Sequence, residues 1–174
     1  MTRWAAFLRG VNLGKRTVKS AELKAAFEAM GYGNVKTLLA SGNVLFDAPS
    51  AKGLKEKIEA GLKSQFGFEV PVVLRSIDEL KAMVEADPFG RTEGEDAKLH
   101  VYLFDQPLPA DLVLKGIAGD YDVTKVTERE VFLTMYRKPD GTYMGGSGVS
   151  VEKDVPKGTL TTARNWNTIL KAIA

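Results

Sequence analysis

Cysteine is absent from the 174-residue chain, and histidine occurs once, as His100. The first absence excludes disulfide scaffolds, zinc–thiolate sites, iron–sulfur clusters and cysteine nucleophiles. The second excludes any site that needs two imidazoles. No apolar run approaches the roughly 20 residues of a membrane helix, so no membrane association is expected. Long biased segments are missing too, which argues against intrinsic disorder. The apolar stretch Trp4–Leu8 is short and bracketed by Arg3 and Arg9, unlike a secretory leader. With no cysteine and no export signal, the expected compartment is the cytoplasm.

What is present is the composition of a globular protein, 44% hydrophobic and 26% charged, on a chain long enough to bury a core without cross-links. The net charge is only +2, but it is segregated. Residues 2–20 contain Arg3, Arg9, Lys15, Arg16 and Lys19 and no acid. Residues 78–96 contain Asp78, Glu79, Glu85, Asp87, Glu93, Glu95 and Asp96 against Lys81 and Arg91.

The first half reads as strand (3–9), helix (from Ser20, with Leu23, Ala26, Phe27 and Met30 on one face, stopped at Gly31), and two short strands (35–40 and 43–46) joined at Ser41-Gly42. A second helix, starting near Ser50 and ending at Gly67, and a strand (70–75) with Pro71 at an edge position complete the half. That order is the βαββαβ, ferredoxin-like pattern. Ser76 and Glu79 form a capping box for a linking helix that ends before Asp87-Pro88. The order then restarts: strand 98–104, helix 109–118, strands 121–126 and 130–136, and a last helix with Trp166, Ile169, Leu170 and Ile173 on one face. The expected fold is therefore α+β, two ferredoxin-like subdomains packed into one compact unit, the second lacking a clear last strand. The expected organisation is 1–76 for the first subdomain, 77–97 for the linking helix and acidic loop, and 98–174 for the second with its C-terminal helix.

Familiar catalytic motifs fail on spacing. Gly10 to Gly14 encloses three residues where a P-loop needs four, and Arg16 follows Lys15 where Ser or Thr would hold magnesium. Ser147 lacks the second glycine of a nucleophile elbow. The acids at 93–96 lack calcium-loop spacing. His100 alternates with Tyr102 and Phe104, the pattern of a half-buried strand histidine. No motif calls for a cofactor or a metal.

Three polar stretches remain. One is the loop after the first strand, with Arg9, Gly10, Asn12, Gly14 and Lys15. The second is Ser41-Gly42-Asn43 in the hairpin. The third, at the start of the last helix, contributes Arg164, Asn165 and Thr168. Strand direction in a βαββ unit brings the first loop and the hairpin to one end of the sheet, where glycines let backbone N–H groups approach an anion. Thr161 or Thr162 is the expected helix cap, which places Arg164 in the first turn, beside free N–H groups that also attract an anion.

Four segments, 7–14 (FLRGVNLG), 40–46 (ASGNVLF), 66–72 (FGFEVPV) and 162–168 (TARNWNT), resemble the family known as domain of unknown function 1697, in its motif order and over nearly the whole chain. The resemblance implies two α+β subdomains and no established activity, cofactor or partner. Where that family often carries Gly-Arg-Ser-Lys-Leu before the last helix, this chain has Gly146-Ser147-Gly148-Val149, without the basic residues.

Three functions follow from the residues. The leading one is a non-catalytic binding module for a small anionic molecule or phosphate group; nucleic acid, as a partner, would bind weakly and with strong salt dependence. The second is an enzyme of unfamiliar type using Arg, Asn or Ser at the same place. The third is a structural or interaction protein in which the motifs serve packing.

Overall fold

The computed structural model describes residues 1–11, 17–38, 42–143, 151 and 154–174. Two units emerge, Met1–Ala82 with Lys171–Ala174, and Met83–Leu170. Each is built on one four-stranded antiparallel sheet, so the chain is an α+β protein.

In unit 1, β1 (Thr2–Leu8), α1 (Ser20–Ala29), β2 (Gly33–Thr37), β3 (Asn43–Ala48), α2 (Leu54–Phe66) and β4 (Val72–Ser76) follow in chain order. The sheet runs β2-β3-β1-β4, which leaves β4 at an edge, where the proline before it costs no ladder bond. Helical spacing in α1 buries Leu23, Ala26 and Phe27, and α2 buries Leu54, Ile58 and Leu62. Both stripes join Ala6, Leu8, Val44, Phe46 and Val72 from one sheet face in a single core. Phe27, Tyr32 and Phe46 meet there as tilted ring pairs 5.0–6.3 Å apart. The glycine stops act as the sequence suggests: Gly31 and Gly67 have φ of 93° and 80°. The helix starts differ. Ser20 is the first helical residue of α1, and no side chain caps that end. α2 begins at Leu54 after a left-handed Gly53, while Ser50 Oγ accepts from the Lys52 amide at 3.1 Å.

The capping box is formed. Ser76 N–H donates to Glu79 Oε1 at 2.9 Å, and Glu79 N–H donates to Ser76 Oγ at 3.1 Å. It opens α3 (Ile77–Glu85).

In unit 2, β5 (Ala97–Phe104), β6 (Tyr121–Val126), β7 (Glu130–Tyr136) and β8 (Thr161–Asn165) form a sheet in the order β6-β7-β5-β8, followed by α4 (Trp166–Ile173). Two expectations are corrected here. The second sheet does have its last strand: Thr161–Asn165 pairs with β5, Phe104 opposite Thr161 and His100 opposite Asn165. β-branched Thr161 and Thr162 suit a pleated, half-buried surface better than a helix turn, and the Thr161 hydroxyl donates to the Leu103 carbonyl at 3.0 Å instead of capping. The second correction concerns residues 109–118, which form no helix. Leu112 and Leu114 pack against the core while Val113 is exposed, a period of two. Gly116 lies so close to β6 that an added Cβ would stand 2.3 Å from the Tyr121 carbonyl oxygen. A chain held that near a strand runs extended along it, and Ile117 N–H bonds to Tyr121 O at 2.9 Å.

Candidate functional site

The end of β1 lies between the start of β3 and the approach to β4. Phe7 is opposite Asn43, the Leu8 amide donates to the Gly42 carbonyl at 2.8 Å, and the Arg9 amide donates to the Pro71 carbonyl at 2.9 Å. Arg9-Gly10 and Gly42-Asn43 are therefore neighbours at one sheet end. Arg9 is exposed and Gly42 buried. Gly10 has φ of 75° with open space where a Cβ would go, so conformation and not crowding calls for glycine there. Asn43 is only 2% exposed. Asn12, Gly14, Lys15 and Ser41 lie outside the described residues.

Arg75 was not singled out by the sequence. It is 1% exposed, it stands opposite Ala5, and its Nη1 donates to the Leu74 carbonyl at 2.9 Å. Arg75 shares a sheet face with Val73, Phe7 and Ala5, opposite to the helix-covered core, and that face is buried too; a long cation there is expensive unless it is bonded.

In unit 2, Arg164 is a strand residue, two positions before α4 begins, so it is not in a helix first turn. Its Nη1 donates to Thr162 Oγ1 at 2.6 Å and to the Ala163 carbonyl at 2.8 Å. Burial pushes the guanidinium down to about 10, which leaves it charged at neutral pH. Asn165 is the cap. Its Oδ1 accepts from the Asn167 amide at 2.8 Å, and its Nδ2 donates to Glu93 Oε2 at 3.3 Å. Glu93 Oε2 also accepts from the Leu99 amide at 3.0 Å. Thr168 is half-buried in α4. His100, opposite Asn165, is half-buried as its alternation suggested; burial lowers its pKa, and the Glu93 charge works against that shift.

A groove of about 610 Å³ opens beside this cap, with Trp166, Leu170 and Val84 as apolar wall and Asp87, Arg91 and Glu93 among its polar groups. Trp166 forms the groove's fixed edge, because it meets Phe89 and Phe132 edge-on at 5.1 and 6.0 Å. Among the described residues, no three His, Asp or Glu side chains gather as a metal site would require, and no helix is long and apolar enough to cross a membrane.

Two four-stranded antiparallel sheets of the same strand order, each in an α+β unit, define the class. Within it, the chain belongs to the family described as protein of unknown function (DUF1697), whose model matches residues 1–132. It is also similar in fold to the conserved bacterial protein SP0830 from Streptococcus pneumoniae, with a TM-score of 0.69 at 22% identity, covering 98% of this chain and 96% of that one. No curated protein matches it.

Proposed function

We propose that the protein is a cytoplasmic, non-catalytic binding module for a small anion, the phosphate or carboxylate group of a small molecule, held where Arg9-Gly10 leaves β1. The observation that carries this reading is the adjacency of Arg9-Gly10 to Gly42-Asn43, tied by the 2.8 Å bond from the Leu8 amide to the Gly42 carbonyl. Arg9 is an exposed residue whose guanidinium is of the kind suited to bidentate recognition of phosphate or carboxylate. Gly10 is left-handed, with φ of 75°, a conformation that recurs in the backbone concavities that bind anions. Asn12, Gly14, Lys15 and Ser41, near these residues in sequence, belong to the same proposal. For Asn43 the packing reading is favoured by its burial, so its role here is to hold the hairpin and not to touch the ligand.

The test is calorimetric titration with inorganic phosphate and with phosphorylated sugars and nucleotides. Saturable binding that Arg9→Ala weakens about fivefold, ~1 kcal/mol, is expected. Binding that is indifferent to Arg9→Ala, or no binding across the panel, overturns it. Nucleic acid, as a weaker form of the same reading, should lose affinity steeply with added salt.

A further inference from the structure

We infer that the β6–β7 side of unit 2 carries a second, separate site, for a neutral polyhydroxylated small molecule of the sugar or cyclitol class.

The argument starts from register. Asp122 stands opposite Thr134, and a period of two puts Tyr136 on the same sheet face as Thr134. The Tyr136 hydroxyl donates to Asp122 Oδ2 at 2.6 Å. The ladder between β6 and β7 shifts between Val123 and Lys125, so Thr124 is an extra residue in β6. Bulges re-aim side chains, and this one brings Thr124 Oγ1 to 2.6 Å from Thr134 Oγ1. These four groups, with Phe89 and Arg91, line a cavity of about 400 Å³, a volume in the range of small-molecule sites.

The chemistry of the lining selects the ligand. Asp122 and the Tyr136 oxygen, whose proton goes to Asp122, contribute acceptors; the threonine pair, one proton of which is spent between them, contributes one O–H donor and further acceptors, and Arg91 donates. Such a mixture is matched by a ligand whose own groups both donate and accept, which is what each hydroxyl of a polyol does. An anion is a poor match. The Arg91 charge is already engaged by Asp96, with Nη2 to Oδ1 at 2.7 Å, and Asp122 adds a negative charge to the wall. The bond to Asp122 raises the Tyr136 pKa, so the phenol stays protonated at neutral pH. Phe89 supplies an apolar wall for the C–H face of a ring and is fixed edge-on against Phe132 at 5.6 Å. Gly116 also borders the cavity; the lack of a side chain there lets residues 114–116 follow β6 closely.

The experiment is an amide-resolved NMR titration of the full chain with D-glucose, D-galactose, D-ribose and myo-inositol, and in parallel with inorganic phosphate. Saturable shifts centred on Asp122, Thr124, Thr134 and Tyr136 with at least one polyol are expected. Tyr136→Phe and Thr124→Ala, both at positions with solvent access, should each weaken that binding about tenfold without altering the rest of the spectrum. Arg9→Ala should leave it unchanged, which separates this site from the anion site of unit 1. No saturable shift with any of the four polyols, shifts indifferent to both variants, or phosphate binding these residues in preference to the polyols would each overturn the assignment.

Discussion

Asn165 does two jobs at once, and removing its side chain tests the boundary between β8 and α4. An N-cap residue has extended backbone, and a strand's last residue already has it; Asn165 closes the ladder opposite His100 and caps the helix through Oδ1. Asn165→Ala removes the cap, which costs about 1 kcal/mol and at most about 2. It also removes the Nδ2 donor to the half-buried Glu93 carboxylate. At 3.3 Å that bond is long, so its loss adds about 0.5 kcal/mol. Glu93 keeps its bond from the Leu99 amide, so no carboxylate is stranded. The sum, about 1.5 kcal/mol, corresponds to a fall in thermal midpoint of about 3–6 °C for a chain of this size. Asn165→Asp keeps the capping oxygen and loses the donor, so it should recover most of the cap while placing a second carboxylate beside Glu93. Urea melts of the three proteins, with the slope unchanged, measure the differences. An Asn165→Ala change below about 0.3 kcal/mol, with Thr162→Ala costing more than 1, would refute the reasoning and return the helix start to the threonines.

That boundary shows where sequence reading stops. Elements with a strong period were legible: Leu23, Ala26 and Phe27 at helical spacing, the glycine stops, and the Ser76–Glu79 box, all of which depend on residues a few positions apart. β8 was hidden because threonine is both a good cap and a good strand residue, and only its partner β5, 58 residues away from Thr161 by the Thr161–Leu103 bond, decides between them. Residues 109–118 depart from the expected helix: Leu112 and Leu114 both reach the core, a spacing of two that suits a strand and no helix face. What settles the matter is the close passage of Gly116 against Tyr121, a tertiary contact. On the side of function, the adjacency of Arg9-Gly10 to Gly42-Asn43 followed from strand direction alone. The Asp122–Tyr136 and Thr124–Thr134 pairs did not, since they depend on a register shift that no local pattern announces.

The two sheets share one strand order yet differ in what fills the connection between the first and second strands. In unit 1 that connection contains α1, whose stripe covers β2 and β3 from the core side. In unit 2 it is an extended segment, pinned to β6 by the Ile117–Tyr121 bonds. An extended segment covers less of a sheet than a helix does, because its side chains reach the core two residues apart along a single line. The cavity's polar groups lie on the other face of that sheet, since Asp122, Thr134 and Tyr136 alternate with Tyr121, Leu133 and Met135 of the core.

Two further outcomes follow. His100 is the single histidine, and burial depresses its pKa, so the folded state binds fewer protons than the unfolded one between the folded value and about 6.5. Stability from this group is present above pH 6.5 and is lost as pH falls through that window; thermal midpoints should drop on acidification from pH 7.5 to 5.5, and His100→Gln should flatten the drop, whereas an equal slope in the variant would remove His100 as the cause. Two glycine-to-alanine changes should differ in size for a reason the backbone supplies. At Gly61, inside α2, the three atoms nearest an added methyl all belong to the Met30 side chain, its terminal carbon at 2.6 Å; that flexible side chain can move, and alanine's helix propensity, worth about 1 kcal/mol, offsets the repacking. At Gly116 the methyl meets the Tyr121 carbonyl oxygen at 2.3 Å and Asp122 Cα at 3.0 Å. Backbone in a paired strand cannot step aside without breaking the Ile117–Tyr121 bonds, so Gly116→Ala should cost about 2–3 kcal/mol, against about 1 or less at Gly61. Urea midpoints decide this: equal effects at the two positions would mean that the 114–116 segment is free to lift from β6, and that the close passage does not hold the cavity's rim.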